Sequence, residues 1–255
     1  MDYEDLCRLD VLGLKEPAVG DQEQVYNEFP EQLQRSSEGW YQTGLPWKGN
    51  HPSLPSNERR SLQRLYTLLR KLERSNTLER YNEVIMQQRE EGIVEPISSP
   101  PVGKEFYIPH KAVVREAAES TKLRIVYDAS ARESEKSPSL HECLEAGPCR
   151  PPLQNRLWAV LVRVRFQPVA LTGDMKQAFL QVRIREGDRD ALRFHWIRDL
   201  ETQRVKVLRF TRALFGLVPS PFILGGVIKQ HLEACRATFP RPIQEIESAF
   251  MLTTL

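Results

Sequence analysis

The chain contains 255 residues, of which 40% are apolar and 27% charged, a balance typical of a globular protein with a substantial core. Its apolar runs are shorter than the ~18 residues of a membrane-spanning helix, so we expect no membrane partner. The acidic N-terminus MDYEDLCRLD lacks the apolar stretch of a secretory signal, which favours a cytoplasmic location. Four cysteines without Cys-x-x-Cys spacing argue against a disulfide framework or a zinc knuckle.

Charge is distributed unevenly along the chain. Residues 1–58 carry 11 acidic and 4 basic side chains, whereas residues 59–255 carry 23 acidic and 32 basic ones. A basic surplus in the larger part suits a polyanionic partner without requiring one. His141, Cys143 and Cys149 match no standard zinc spacing, so we expect ordinary side chains there.

Residues 1–58 are interpreted as a linker or N-terminal extension. Five prolines and the loop-like stretch GLPWKGNHPSLPSN favour irregular structure. We expect the extension to pack against the rest of the chain, residues 59–255, through four large side chains. These are Trp40, Tyr41, Leu45 and Trp47.

Two helices are predicted next. Ser56 or Asn57 can cap the first, which would bury leucines at helical spacing. Asn76 and Glu79 resemble a capping box for the second, which should end near Gly92. The apolar positions expected in the core are Leu62, Leu65, Leu69, Leu72, Leu78, Tyr81 and Ile85.

From about residue 105 the apolar pattern changes to alternation, which predicts half-buried antiparallel strands. The inward positions are Phe106 and Ile108; Leu123, Ile125 and Tyr127; Leu180, Val182 and Ile184; Leu192, Phe194 and Trp196; and Val205 and Val207, with Arg209 continuing the pattern. Because helices and strands do not alternate strictly, the expected fold class is α+β.

Two later segments are predicted to be helical. In residues 151–166 the spacing places Leu157, Val160 or Leu161, and Val164 inward. A last helix should begin at residues 219–221, where proline is tolerated in the first turn, and continue through ILGGVIKQHLEA.

The segment PVALTGDMKQAFLQVRI is the most informative for function. An apolar strand is predicted to end at Asp174, and such a carboxylate is often only structural. Next to a nucleotide, however, it would suit a hard metal ion such as Mg²⁺, which prefers carboxylate oxygens and promotes nucleotidyl transfer. One aspartate alone rarely holds the two ions that polymerases use.

Several motifs in order resemble reverse transcriptases. LTGDMKQAF is similar to their motif A, RALFGLVPSPFIL to their motif B, and TKLRIVYDAS to a strand of their fingers subdomain. Together with LPWKGNHPSLPSN, FYIPHKAVVRE and SLHECLEAGP, they resemble the polyproteins of BEL/Pao LTR retrotransposons over most of the chain. The resemblance implies the fingers and part of the palm of a right-hand polymerase.

The resemblance also implies roles for the motif A residues. Asp174 would be the catalytic metal ligand, and the carbonyl of Met175 a second ligand to Mg²⁺. Gln177 and Ala178 would direct backbone amides toward the incoming triphosphate. Phe179 would be the steric gate that favours dNTPs over ribonucleotides, although an alternating strand would also bury a phenylalanine in the core.

Motif B and the fingers strand supply the remaining expectations. Gly216, Ser220 and Pro221 would lie close to the template and the nucleotide, where a bare backbone permits close approach. Arg124 would grip phosphate through its guanidinium fork, with Lys122 as a second contact, although both side chains could equally be solvated.

The same two interpretations apply to a further group of basic residues. Five cations on the first predicted helix would be either a solvated face or contacts to a phosphate backbone. They are Arg59, Arg60, Arg64, Arg70 and Lys71.

Two departures from the family pattern bear on activity. Phe215 stands where many retroviral enzymes have glutamine, and no aspartate follows Asp199, so the Tyr-x-Asp-Asp hairpin is missing. We therefore expect a truncated polymerase fragment that is inactive alone. Its partners by family are an RNA template, a DNA primer, dNTPs and the remainder of the polyprotein. The alternatives are an active enzyme completed elsewhere and a retained, non-catalytic nucleic-acid-binding module.

Overall fold

The fold is mixed α+β, built from three small sheets and the helices around them. The computed structural model describes residues 28–97, 100–101, 103–114, 123–147, 155, 157–166 and 168–250. Its helices are α1 (Glu58–Arg74), α2 (Leu78–Glu90), α3 (Leu140–Cys143), α4 (Leu157–Arg165), α5 (Ser220–Cys235) and α6 (Pro240–Ala249). Its strands are β1 (Gln34–Arg35), β2 (Tyr41–Thr43), β3 (Val94–Pro96), β4 (His110–Val114), β5 (Leu123–Tyr127), β6 (Val182–Ile184), β7 (Arg193–Ile197) and β8 (Val205–Phe210). Two 3₁₀ helices span Ala178–Gln181 and Glu186–Leu192.

The sheets have the strand orders β1-β2-β6, β3-β8-β7 and β4-β5. All pairings are antiparallel except β2 with β6, in which Tyr41 lies opposite Val182 and Thr43 opposite Ile184. Residues 1–58 were predicted to be irregular, but two strands, β1 and β2, lie in this segment. Leu45, one of the predicted docking residues, is buried beside them.

Helices α1 and α2 form where the leucine spacing predicted them. The leucines at 65, 69 and 72 are buried, and so is Leu68, whereas Leu62 is half-buried. The predicted Asn76 capping box is wrong, because Asn76 adopts a φ of +51° in the turn between the helices. Gly92 ends α2 with a φ of +66°, as its sequence position predicted.

Strands β5, β7 and β8 form at the predicted positions, but the buried face is not always the predicted one. Strand β5 begins and ends with buried residues, as predicted, whereas in β8 the buried residues are Leu208 and Phe210 and the valines are only half-buried. Residues 106–108 form no regular strand, although their backbone bonds to Asp190 and Arg193. Only Val182–Ile184 of the FLQVRI segment is strand, because Leu180 belongs to a 3₁₀ helix.

Strand β7 is buried along its whole length and is not half-buried as alternation predicted. Its two polar residues explain the difference, because each has a partner inside the protein. Arg193 pairs with Asp190 at 2.8 Å, and His195 Nδ1 lies 3.2 Å from the Ser61 hydroxyl. Polar side chains that are paired in this way can be buried at little cost.

Helix α4 is mostly exposed, which contradicts the inward positions predicted for it. Leu161 and Val164 are exposed, Val160 is half-buried, and the side chain of Leu157 lies outside the described part. The helix is instead attached by polar bonds. Asn155 and Arg163 donate to carbonyls of Glu247 and Ser248 at the end of α6.

Helix α5 begins at Ser220, as predicted, and its glycines admit a neighbour. A Cβ at Gly226 would lie 2.5 Å from the Phe29 ring, which itself packs edge-on against Phe222 at 5.1 Å. Within the described ranges, no helix is both long and apolar enough to cross a membrane.

Candidate nucleotide-binding site

Asp174 does not lie at the end of a strand, contrary to the sequence prediction. Residues 168–175 have no regular structure and are exposed, with Val169 71% and Leu171 93% accessible. A strand needs a neighbouring strand for its backbone and an apolar surface for its side chains, and this segment has neither among the described residues. Asp174 makes no hydrogen bond or ion pair with them, and Met175 is exposed as well.

The chain then makes a tight turn toward the core. Gln177 adopts the left-handed conformation with a φ of +52°, and its carbonyl accepts a bond from the Leu180 N–H at 2.8 Å. The turn leads into the 3₁₀ helix that contains Ala178 and Phe179. Both side chains are half-buried and pack on the hydrophobic core. Phe179 therefore lies on a 3₁₀ helix and not on a strand, and its side chain is only partly buried in the core.

A second turn forms at Gly216, and only glycine fits it. Its φ is +100°, and a Cβ would lie 2.9 Å from the carbonyl oxygen of Tyr127. The Gly216 carbonyl accepts a 2.7 Å hydrogen bond from His141 Nε2. Burial lowers the pKa of His141, and the bond to Gly216 offsets this only in part, so the ring is neutral with its proton on Nε2.

Ser220 and Pro221 lie at the start of α5 as structural residues. The Ser220 hydroxyl is buried and donates to the carbonyl of Leu214 at 2.7 Å, which closes the loop that contains Gly216. Pro221 occupies the first turn of the helix, where a missing N–H costs nothing. These residues therefore hold the shape of the Gly216 turn.

The two turns are brought together by their aromatic rings. The Phe179 and Phe215 rings lie 5.8 Å apart at 55°, and Phe215 remains 53% exposed. The 3₁₀ helix and the Gly216 turn thus form one surface with half-exposed aromatic rings. Such a surface can accept a flat, apolar group such as a base or a sugar face.

Arg124, one of the two predicted phosphate contacts, makes no hydrogen bond to this surface. Arg124 is exposed on β5, opposite Val113, and makes no hydrogen bond or ion pair with the described residues. Lys122 lies outside the described residues.

The cations of α1 divide between solvated and paired side chains. Arg64 bonds Asp128 at 2.8 Å, and Arg60 donates to the Glu133 carbonyl. Burial raises the pKa of Asp128, but bonds from Ser130 and Arg64 outweigh it, so this pKa is lowered. Arg59 is exposed, as are Arg70 and Lys71.

The described residues do not make a magnesium site by themselves. Asp174 and the Met175 carbonyl would supply two oxygen ligands, whereas Mg²⁺ takes about six in octahedral geometry. Within the described ranges, no three His, Cys, Asp or Glu side chains are grouped closely enough to hold a metal ion. Any such ion would need carboxylates beyond those of this surface.

Two features of the neighbourhood were not predicted from the sequence. His141 was considered only as a metal ligand, and the signal that could have found it is its place in the capping box of α3, where Ser139 and Glu142 bond reciprocally. The second is a group formed by Trp40, Arg183 and Arg212, for which local sequence gives no signal because the residues are far apart in the chain.

Comparison with known proteins found no family model that matches the chain and no match among the curated proteins.

Proposed function

We propose that the chain is the fingers and part of the palm of a reverse transcriptase of the BEL/Pao retrotransposon type. In this proposal it contributes one catalytic carboxylate and a nucleotide-binding surface to RNA-directed DNA synthesis. The 255 residues of the chain include no Tyr-x-Asp-Asp sequence. The chain by itself should therefore bind nucleotide and template without polymerising.

One observation carries the proposal: the turn after motif A and the turn of motif B are adjacent. Phe179 from the first and Phe215 from the second are in ring contact at 5.8 Å, although 35 residues separate them in sequence. The ordered motifs of the sequence predicted that these two segments act on one nucleotide. Their packing together supports that interpretation.

Each residue of the surface has a role in the proposal. Phe179 would contact the sugar and reject a 2′-hydroxyl, and the bare backbone at Gly216 would let a base pair approach. His141 holds the Gly216 carbonyl, so it is a positioning residue. Arg124, which is exposed and forms no ion pair with the described residues, would be available to a triphosphate. Magnesium would be held by Asp174 together with carboxylates from outside these residues.

The test is primer extension on an RNA template. The transcript is first sequenced beyond codon 255. Two proteins are then expressed, the 255-residue chain and a longer protein that includes any reading frame that follows it. If a Tyr-x-Asp-Asp sequence follows, the longer protein should incorporate dNTPs and Asp174→Asn should abolish this. Asp199→Asn is the matched control, because Asp199 bonds the N–H and the hydroxyl of Thr202 within its own turn. The proposal would be contradicted if Asp174→Asn still incorporated dNTPs, or if the longer protein incorporated no dNTPs at all.

A second variant tests the surface itself. Phe179→Ala should let the longer protein accept ribonucleotides, because the ring no longer occupies the space of the 2′-hydroxyl. Phe166→Ala is the control, since Phe166 is 82% exposed. Unchanged sugar selectivity in Phe179→Ala would argue against the assigned position of the nucleotide.

The basic surplus of residues 59–255 favours a second candidate function, a nucleic-acid-binding module without catalysis. Exposed cations on α1 and β5 would contact phosphates. This function requires RNA affinity that falls steeply as salt rises, and no incorporation by any longer form. A purified chain that fails to bind RNA at low salt would exclude it.

A further inference from the structure

Arg212 is a buried cation, and two of its nitrogens meet no hydrogen-bond acceptor in the part of the chain that the structure describes. Its side chain belongs to a residue only 7% exposed, and neither Nε nor Nη1 reaches an acceptor among the described residues. Buried guanidinium groups are normally paired, because an uncompensated charge is costly to remove from water. A buried guanidinium group in this state is therefore unusual.

The sheet brings a second arginine and an aromatic ring to the same place. Arg183 of β6 forms a backbone bridge with Arg212, so these two residues lie directly opposite each other. Trp40 directly precedes β2, which pairs with β6. Both guanidinium groups lie over the Trp40 ring, Arg183 at 4.8 Å and Arg212 at 4.3 Å from its centroid.

The charges of this group are not balanced. Glu38 bonds Arg183 at 3.2 Å and is largely exposed, whereas Arg212 has no carboxylate partner among the described residues. Like charges directly opposite each other across strands are destabilising. Burial lowers the pKa of Arg212, and the positive charges of Arg183 and Arg189 lower it further.

Neighbouring arginines show what compensation looks like in the same protein. Arg193 and Arg209 both bond the buried carboxylate of Asp190, and Arg209 also bonds Glu95 at 2.6 Å. Their charges are met inside the chain. None of the described residues compensates the charge of Arg212 in this way.

We propose that Trp40, Arg183 and Arg212 form a binding site for a phosphate group. Glu38 occupies the Arg183 side of this site as an internal competitor, and a phosphate replaces its carboxylate. This site shares no residue with the Asp174 segment and goes beyond the proposed polymerase function, because phosphate binding here does not require catalysis.

Phosphate is favoured over other anions by the donor set. Arg183 offers a planar guanidinium fork that matches phosphate oxygens, Arg212 adds a second positive charge beside it, and a doubly charged phosphate compensates both cations at once. The Trp40 ring holds both cations beside each other through cation–π contact. The phosphate could come from a nucleic-acid backbone or from a free phosphate or nucleotide, which an experiment can separate.

The experiment uses the full chain and two probes at constant ionic strength. Inorganic phosphate is titrated while the melting temperature is followed, and a short labelled oligouridylate is titrated by fluorescence anisotropy. We expect phosphate to raise the melting temperature of the wild type. Arg212→Met should abolish that rise and weaken oligouridylate binding by roughly tenfold, with a salt slope smaller by about one.

Stability without ligand separates this role from a structural one. Because Arg212 lacks a carboxylate, Arg212→Met should melt no lower than the wild type in phosphate-free buffer. Arg198→Gln is the control, since Arg198 is an exposed arginine away from the group, and it should leave both readouts unchanged. A phosphate-induced rise without Arg212-dependent oligouridylate binding would assign the site to free phosphate or a nucleotide.

Glu38→Gln provides an independent check that does not require altering a buried residue. Removing the competing carboxylate should tighten phosphate binding severalfold. The proposal is overturned if phosphate and oligouridylate bind equally well to wild type and Arg212→Met, if neither binds the wild type, or if Glu38→Gln binds phosphate no more tightly.

Discussion

At the scale of single residues, two buried histidines form a neutral hydrogen-bonded pair in the core. His110 Nε2 donates to the His195 carbonyl at 2.9 Å, which leaves Nδ1 to accept from the Tyr81 hydroxyl. The His195 ring stacks on Tyr107 with centroids 4.6 Å apart. Burial lowers the pKa of each histidine to about 4.

This pair predicts an acid-sensitive fold. Unfolded histidine has a pKa near 6.5, so as pH falls below that value the unfolded state takes up protons that the folded state refuses. Stability should be complete above about pH 6.5 and be lost progressively down to about pH 4. Between pH 7 and 5 we expect a loss of about 2 kcal/mol for each histidine, measured by urea denaturation.

The control for the pH prediction is a histidine that is only half-buried. His51→Gln should keep the full pH dependence, whereas His110→Gln should lose about half of it. Ordinary carboxylates remain ionised in this pH range, so they contribute little. A stability that is flat between pH 7 and 5 would contradict the buried, neutral state of the pair.

Gly216 gives a second prediction at this scale. Gly216→Ala should destabilise the fold by about 2 kcal/mol, because the new Cβ meets the Tyr127 carbonyl and φ is positive. Gly173→Ala should change stability by less than about 0.5 kcal/mol, since nothing lies within 4 Å of its Cβ. Equal denaturation midpoints for the two variants would show that the turn is not constrained as described.

At the scale of elements, Asn57 connects the start of α1 to the segment before β4. It occupies the capping position, yet its amide does not cap the helix. Instead Nδ2 donates to the Tyr107 carbonyl at 2.7 Å, and Oδ1 accepts from the Tyr107 N–H at 2.8 Å. One side chain thus satisfies a buried stretch of backbone that belongs to no regular strand.

Asn57→Ala should therefore cost more than the loss of a cap. Both polar groups of Tyr107 would be left unsatisfied, and we expect a loss of about 3 kcal/mol in chemical denaturation. Thr77→Ala, at the capping position of α2, removes no capping bond and should cost about 0.5 kcal/mol or less. Similar losses in both variants would mean that Asn57 acts only as a helix cap.

The elements that could be predicted from sequence are those whose signal is local. Leucine spacing and the glycine stop predicted α1 and α2 well, and proline in the first turn predicted α5. The buried face of β8 was predicted wrongly, because valine and leucine are both apolar and only packing on the two faces of the sheet decides which is buried. The strand at residues 168–174 was wrong for a related reason, since a strand exists only beside another strand.

At the scale of the whole molecule, exposed apolar surface is concentrated in one stretch of the chain. Eight large apolar side chains between residues 158 and 175 are more than a third exposed. They are Trp158, Leu161, Val162, Val164, Phe166, Val169, Leu171 and Met175. Surface of this kind is usually covered by a partner and promotes association when it is not.

We therefore expect the purified chain to self-associate, as measured by sedimentation velocity. Leu161→Glu combined with Leu171→Glu should reduce association without lowering the free energy of unfolding, because both side chains are already exposed. Tyr66→Glu on α1 is the control, since Tyr66 is also exposed but lies outside the stretch. A wild type that sediments as a single monomer at all concentrations would contradict this prediction.

Prediction of the candidate site from sequence was limited in the same way, because part of it depends on the assembled fold. Motif order predicted that Phe179 and Gly216 belong to one site, and their turns are adjacent. The signal for Arg212 could not be read, because its lack of a partner depends on Trp40 and Arg183 arriving from other parts of the chain. A buried charge without a partner is a property of the assembled fold and has no local sequence pattern.

The parallel pairing of β2 with β6 has a consequence for how the protein forms on the ribosome. Tyr41 finds its partner Val182 only after 140 intervening residues have been synthesised, which takes roughly ten seconds or more at ordinary translation rates. Until then β1 and β2 form an isolated hairpin, which is marginally stable in water. Strand β2 must therefore wait without its partner β6 while α1 and α2 are already made, and a chaperone that binds extended segments would find its target there.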